Sequence, residues 1–297
     1  TLALSADGTH LVLIGERVTV NHSAGFPDAE DLSLSPPSTV VSATWVGSSL
    51  WLLTGSGVIT VDGDRFSPAL PGLPSWLGAL TQLDVTLDGQ RAVVTGSGGA
   101  AVVDTASGQT VRTYRDATLR QSVLASDGKT VYLRHVSGLV ERDELTESHK
   151  PYGRRAAYSI FRAGDLILAR VQGDLCPIVP PGPGAARCVV VHRGSVEGAV
   201  GLGSDGFGTV GTDRYLRIWP SLDAPRFGSR NADGSSSVEL SLPTDQDRTA
   251  RRSQVEADPS AGTICVLSRT MGNLGRLTSQ LEPIWSAGGG DEDLSTD

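Results

Sequence analysis

The chain has 297 residues, 39% hydrophobic and 20% charged, with a formal net charge of −8. That is enough apolar material for a core. The acidic balance excludes a general attraction to nucleic acid or anionic membrane surfaces. No apolar run approaches the ~18 residues of a membrane span.

In chain order, one pattern recurs: a short apolar strand, a turn built on Asp or Ser with Gly, then a second apolar strand. Leu2–Leu4 leads through Asp7-Gly8 into His10–Ile14, and Ala43–Val46 leads through Gly47 into Leu50–Leu53. Leu83–Leu87 leads through Asp88-Gly89 into Ala92–Val94, and Val123–Ala125 leads through Asp127-Gly128 into Val131–Leu133. Ser159–Ala163 leads through Gly164 into Leu166–Leu168, and Ala199–Gly203 leads through Asp205-Gly206 into Gly208–Val210. Val255–Asp258 leads through Gly262 into Ile264–Leu267. Glycine suits these turns because a tight strand-to-strand turn often needs φ > 0. Asp suits them because its carboxylate bonds the turn's own backbone.

The turn glycines 8, 47, 89, 128, 164, 206 and 262 stand at intervals of 39, 42, 39, 36, 42 and 56. Third strands are expected at Val18–Val20, Val58–Val61, Ala101–Val103, Leu139–Val140, Val189–Val191 and Leu216–Trp219, and a fourth at Gly108–Tyr114. No long 3.6-period stripe occurs, so almost no helix is expected. Seven units of about 40 residues predict an all-β fold, a seven-bladed β-propeller of four-stranded antiparallel blades.

Ser5-Ala-Asp-Gly8, Leu87-Asp-Gly89, Ser204-Asp-Gly206 and Tyr215-Leu-Arg-Ile-Trp219 resemble the first turn and third-strand ending of WD40 repeats. As a pattern the resemblance covers nearly the whole chain. It implies a bacterial WD40-like propeller, a scaffold for protein–protein interaction. Only Ile218-Trp219 carries the family's strand-ending aromatic, and no Gly-His dipeptide precedes a unit. The family's buried Asp-His-Ser-Trp network is therefore not carried over.

The expected propeller spans 1–287, with an exposed insertion at about 222–252 between blades six and seven and Val238–Leu242 as the sixth outer strand. Residues 288–297 read as an acidic flexible tail. The sequence opens at Thr1 within an apparent strand, which reads as one domain of a longer multidomain protein. Only two of its 25 basic residues are lysines, read here as the composition of a GC-rich bacterial genome. The last outer strand is expected locally, at Glu282–Trp285, with closure by packing of the first blade on the last.

No catalytic constellation stands out. The five histidines fall in five repeat contexts with no metal-pair spacing, so neither metal nor cofactor is expected. Ser126-Asp127 and Ser204-Asp205 occupy the same repeat position and read as turn residues. Gly96-Ser-Gly-Gly99 resembles a phosphate cradle but lies between two strands, not before a helix. An odd cysteine count argues against a disulfide framework, and the cysteines are expected to be buried thiols; the alternative is a disulfide in an oxidising compartment between Cys176 and Cys188, which flank a Pro-Gly loop. The expected location is the cytoplasm, with export as the alternative.

Charge gives the sharpest site hypothesis. The first turns carry Asp7, Asp88, Asp127, Asp165, Asp205 and Asp258, while the junctions carry Arg115, Arg120, Arg154, Arg155, Arg193, Arg248, Arg251 and Arg252. The expected partner face therefore comprises Arg120, Arg154, Arg155, Arg193, Arg251 and Arg252 with Trp76, a junction tryptophan expected to be exposed. It would contact a protein or another domain of the parent chain, with no nucleic acid and no membrane span, as a non-catalytic interaction or sensing module. The alternative is a lyase, hydrolase or small-ligand binder centred on the channel. The innermost strands read as mostly Ala, Val, Leu, Ser and Thr, which favours the module.

Residues 228–237 hold no apolar residue larger than Ala232, so little burial offsets their ordering entropy. Limited proteolysis is expected to nick this stretch first; protection there would show that it docks on the rest of the chain.

Overall fold

The computed structural model describes residues 32–145 except 47, 63–64 and 87, and residues 157–178 except 164–165 and 172–173. It also describes the strands at 2–4, 10–14, 18–22, 196–201, 207–211, 215–219, 236–239, 253–258, 263–268, 273–278 and 283–287. The described residues are all-β. They contain no α-helix, only one 3-10 turn at Ser75–Leu77, and no helix long and apolar enough to cross a membrane.

The strands form antiparallel sheets of consecutive members, seven among the described residues. The first holds β1 (Leu2–Leu4), β2 (His10–Ile14), β3 (Val18–His22) and β4 (Leu32–Leu34). The second holds β5 (Val40–Val46), β6 (Ser49–Thr54), β7 (Val58–Asp62) and β8 (Arg65–Pro68), and the third β9 (Leu80–Val85), β10 (Arg91–Gly96), β11 (Gly99–Asp104) and β12 (Thr110–Tyr114). The fourth holds β13 (Leu119–Leu124), β14 (Thr130–His135) and β15 (Val140–Glu144), and the fifth β16 (Ser159–Ala163), β17 (Leu166–Val171) and β18 (Asp174–Pro177). The sixth holds β19 (Val196–Gly201), β20 (Phe207–Gly211), β21 (Tyr215–Trp219) and β22 (Ser236–Glu239), and the last β23 (Ser253–Asp258), β24 (Thr263–Ser268), β25 (Asn273–Thr278) and β26 (Pro283–Ala287). The first strands of successive sheets touch in chain order, and β1 touches both β5 and β23.

The middle strands are apolar without alternation because both sheet faces are covered. On β6, Leu50 and Leu52 pack with Val12, Val18 and Val20 of the first sheet, while Trp51 and Leu53 pack with Val85, Val94 and Val103 of the third. On β10, Val93 turns instead toward Leu124, Val131 and Leu133 of the fourth sheet. Tyr132 and Val140 of the fourth meet Ile160 and Ile167 of the fifth. Successive side chains on a strand point to opposite faces, so a run such as Ala92-Val-Val94 fills two separate cores.

The expected first turns at Gly89 and Gly128 have φ of 69° and 61°, the left-handed region that a Cβ disfavours. Two strand assignments differ from expectation. The third strand of the fifth sheet is Asp174–Pro177, paired to β17 from Val171↔Asp174 to Leu168↔Pro177, not Val189–Val191, which lies outside the described residues. Leu175 and Cys176 are buried there; the Cys-Pro pair reads as a loop start in sequence, but Pro177 sits at the strand end, where a missing N–H costs little. The outer strand β22 runs over Ser236–Glu239, starting two residues before the expected Val238–Leu242, of which residues 240–242 lie outside the described residues. Residues 222–235 and 240–252, and the tail 288–297, lie outside the described residues, as do any fourth strands of the fourth and fifth sheets.

A polar tie crosses the third and fourth sheets. The Tyr114 hydroxyl donates to Asp143 Oδ2 at 2.7 Å, and Arg112 Nη2 stands 3.2 Å from the same oxygen, with Asp143 fully buried. Burial and the adjoining Asp143 carboxylate push the Tyr114 phenol well above its ordinary range. Tyr114→Phe removes a hydrogen bond to a charged acceptor and is expected to cost about 2 kcal/mol in urea unfolding; an unchanged midpoint would show that Arg112 alone holds Asp143.

Candidate functional site

The inner strand of each sheet is hydrogen-bonded on one side only. Polar side chains from the preceding inner strand reach the other side. Gln82 Oε1 accepts from Ser122 N–H at 3.2 Å, and Asp84 Oδ2 accepts from Leu124 N–H at 2.8 Å. Gln121 repeats the first contact one sheet on: its Oε1 accepts from Ile160 N–H at 2.9 Å and its Nε2 donates to the Ile160 carbonyl at 2.8 Å. Both β9-to-β13 contacts span 40 residues, so these strands lie side by side in the same direction. Arg162 of β16 reaches back to β9, where its Nη2 donates to Asp84 Oδ1 at 3.0 Å and to the Val85 carbonyl at 2.5 Å. Burial drives the Asp84 carboxyl above the ordinary range, and Arg162 and the Leu124 N–H offset part of that rise.

This common direction separates two ends in the third to fifth sheets. At one end lie the turns from first to second strand and from third to fourth strand, and their carboxylates serve those turns. Asp88 Oδ1 accepts from Thr86 Oγ1 at 2.6 Å and from Gln90 N–H at 3.0 Å. Asp127 accepts from the N–H groups of Lys129 and Thr130 at 2.8 and 3.0 Å, and Asp104 from the N–H and hydroxyl of Ser107 at 2.9 and 2.8 Å. The bonds to Asp88 and Asp104 favour their charged forms, and both are held below the ordinary carboxylate range.

At the other end lie the junctions between sheets. There the inner strands carry bulges at matching places: the pairing skips Val41, Thr81, Arg120 and Glu197 in the second, third, fourth and sixth sheets. A bulge bends the strand and re-aims a side chain. Arg120 is exposed, and its Nη1 donates to the carbonyls of Ala117 and Leu119 at 2.8 and 2.9 Å.

Two further arginines join it. Arg134 lies opposite Gln121 on β14 and reaches toward the carbonyls of His135 and Ala157, at 3.4 and 3.5 Å. Arg170, opposite Ser159 on β17, donates to the Val196 carbonyl at 2.8 Å and stacks over the Tyr158 ring at 5.5 Å. Burial first, then the charges of Arg120 and Arg170, hold Arg134 below the ordinary guanidinium range. Beside this group the buried His135 ties the junction: Nδ1 meets Thr118 Oγ1 at 3.0 Å and Asp116 Oδ2 at 3.2 Å, and Nε2 meets Glu141 Oε2 at 3.3 Å.

Of the residues expected from sequence, Arg120 and Trp76 are described, and both lie at the junction end. Trp76 is half-buried rather than exposed: it packs on the core between the second and third sheets and carries Arg115 at 5.1 Å over its ring. Gly96 and Gly98 pass so close to the carbonyls of Leu77 and Trp76 that a Cβ would collide, which explains the Gly96–Gly99 run without a phosphate. Arg154, Arg155, Arg193, Arg251, Arg252 and Cys188 lie outside the described residues, whereas Cys176 is buried and disulfide-bonded. Sequence reasoning missed Arg134, Tyr158 and Arg170, and missed that inner strands carry Gln82, Asp84, Gln121 and Arg162. The available signal was the pair Gln82 and Gln121, 39 residues apart near the start of successive inner strands. Among the described residues no group of three or more His, Cys, Asp or Glu is arranged to hold a metal ion.

No family model matches the chain, and no curated protein does. Among solved structures it is similar to PorZ, an essential bacterial surface component of the type-IX secretion system of Porphyromonas gingivalis. The TM-score is 0.67 at 13% identity, over 99% of this chain and 38% of that one. The likeness is one of fold, and the chain spans well under half of the length of that protein.

The Asp84–Arg162 pair yields a signed prediction. Arg162→Met leaves the Asp84 carboxylate without its counter-charge, and a loss of about 3 kcal/mol is expected at neutral pH. The variant's folded carboxyl lies still further above its unfolded range. The stability it contributes is therefore present in acid and lost as pH rises through the folded value. Urea titrations across pH should show the deficit shrinking toward acid; a deficit independent of pH would assign Arg162 a packing role.

Proposed function

We propose that the chain is a seven-bladed, WD40-like β-propeller acting as a non-catalytic interaction module, and that a protein, or another domain of its parent chain, docks on the junction end. Seven successive antiparallel sheets, with β1 touching both β5 and β23, support the architecture. The observation that carries the function is the contrast between the two ends. The described turn aspartates are engaged by their own turns, whereas among the described residues Arg115, Arg120, Arg134 and Arg170 have no carboxylate within ion-pair distance. Arginine's planar fork suits carboxylate partners in two parallel bonds. The inner-strand charges Asp84 and Arg162 face each other, which favours a module over the channel-centred enzyme. We also propose export in place of the cytoplasmic expectation, with Cys188 as the partner of Cys176; the disulfide at Cys176 supports both.

Single exposed ion pairs contribute about 0–1 kcal/mol, so the test removes several charges together. One variant changes Arg115, together with Arg154, Arg155, Arg251 and Arg252 that the sequence assigns to the junctions, to Ser. The control is Asp88→Asn with Asp127→Asn at the opposite end. With melting curves unchanged, the first variant is expected to lose capture of partner proteins from extract of the source cells and the control to retain it. Equal capture by both at low and moderate salt would show that the junction end is merely solvated.

A further inference from the structure

The junction between the fourth and fifth sheets holds a feature that the general partner face does not require. Three arginines from three strands meet there. Arg120 is turned outward by the β13 bulge, Arg134 crosses from β14 toward the Ala157 carbonyl, and Arg170 lies beside Tyr158, whose N–H donates to the Arg170 carbonyl at 2.8 Å. None of the three has a carboxylate within ion-pair distance among the described residues. Asp116 and Glu141, the neighbouring acids, stand against His135 instead. The Nε atoms of Arg134 and Arg170 are buried without a hydrogen-bond partner, and Arg134 Nη1 has acceptors only at the outer limit of a hydrogen bond. Buried donors of this kind ordinarily find an acceptor. Around the three lie exposed apolar surfaces: Tyr158 and Val136, each 60% exposed, and Leu139, 41% exposed.

We propose that this pocket receives an acidic peptide segment of the partner, one carboxylate entering between Arg120, Arg134 and Arg170 while a neighbouring apolar side chain lies on Tyr158, Val136 and Leu139. The inference rests on the junction end being the partner face, and it names the chemistry that one part of that face selects. Two observations favour a peptide over a nucleic acid. The cluster presents three guanidinium groups on a chain of net charge −8, whereas nucleic-acid affinity comes from many phosphates contacted along a track. The exposed surface beside the cluster also includes two aliphatic side chains, which fit a peptide's apolar residue better than a sugar-phosphate backbone.

Arg134 and Arg170 also link adjacent sheets, so the test uses Arg120 and Tyr158, which are exposed and hold no strand. The probes are short fluorescent peptides: alternating Asp and Leu, alternating Asp and Gly, alternating Lys and Leu, and the Asp-Leu peptide with one Asp replaced by phosphoserine. Fluorescence anisotropy on the full chain is expected to show binding of the Asp-Leu peptide, weakened by salt, and none of the Lys-Leu peptide. Arg120→Gln combined with Tyr158→Ser, at an unchanged melting temperature, is expected to weaken Asp-Leu binding about tenfold. The Asp-Gly peptide should bind more weakly than Asp-Leu, because it leaves the apolar surface uncovered.

Undiminished binding to the double variant overturns the pocket, as does absence of Asp-Leu binding to the unaltered chain. Binding of the phosphoserine peptide more than about tenfold tighter would reassign the site to phosphate and overturn the carboxylate reading. Where partner capture is lost in the junction-end variant described above but peptide binding ignores Arg120 and Tyr158, the partner face stands and this pocket falls. Where neither variant changes capture or peptide binding, both readings fall.

Discussion

Among the described residues every sheet begins with a strand that has a neighbour on one side only, and the structure is organised by what satisfies the other side. An unpaired strand edge is a row of donors and acceptors that invites pairing with foreign chains. Here part of that edge is satisfied by side chains from the preceding sheet. Gln82 and Asp84 hold the N–H groups of Ser122 and Leu124, and Gln121 grips both backbone groups of Ile160. The contacts leave the inner strands too far apart for a continuous ladder and still fix their relative register. The repeat of about 40 residues is the chain length needed to leave an inner strand, run outward through its sheet and return to where such a contact is made.

Packing follows from that placement. Once the inner strands are set side by side, each sheet is covered on both faces, and its middle strands need apolar side chains at every position. Leu50–Leu53 and Ala92–Val94 therefore show no polar alternation, although they are strands of antiparallel sheets. Outer strands such as β12 do alternate, and the half-buried Arg112 and Tyr114 turn toward Asp143 of the next sheet. Polar ties thus appear at both the inner and the outer margins of the sheets, with apolar contact between them.

How much of this was legible in the sequence depends on whether a feature is a property of one residue or of a pairing. Gly89 and Gly128 were legible because a tight turn constrains the backbone of one residue, and both take positive φ. Continuous apolar runs were legible as strands for the same local reason. The third strand of the fifth sheet was not, because Cys176-Pro177 looks like the start of a loop until its pairing with β17 is known. Gln82, Gln121 and Arg120 were harder still. A glutamine two residues into a strand is unremarkable alone and acquires a role only from the backbone it faces a sheet away. Arg120 was singled out by its charge, but the bulge that turns it outward is a fault in register between two strands, which composition does not encode. Arg134 and Arg170 were passed over because they sit inside strands, where a charged residue reads as an exposed position in the alternation.

The same distinction explains why the two ends differ in what they offer. A turn is a local structure, and its aspartates find their donors within three residues, at Gln90, Ser107, Lys129 and Thr130. Their charge is compensated before any other molecule arrives. A junction offers its cations only backbone carbonyls, some local as for Arg120 and some in the next sheet as for Arg170, and a carbonyl satisfies one N–H of five. Arg170 finds Val196 and Arg134 barely finds Ala157, so donors are left over wherever a junction uses arginine to bridge sheets. The side chains that hold neighbouring sheets together at this end are therefore also the ones left with spare donors. On the proposed reading, the unsatisfied part of a structural contact serves as the carboxylate receptor, and such a surface needs no separate recognition element.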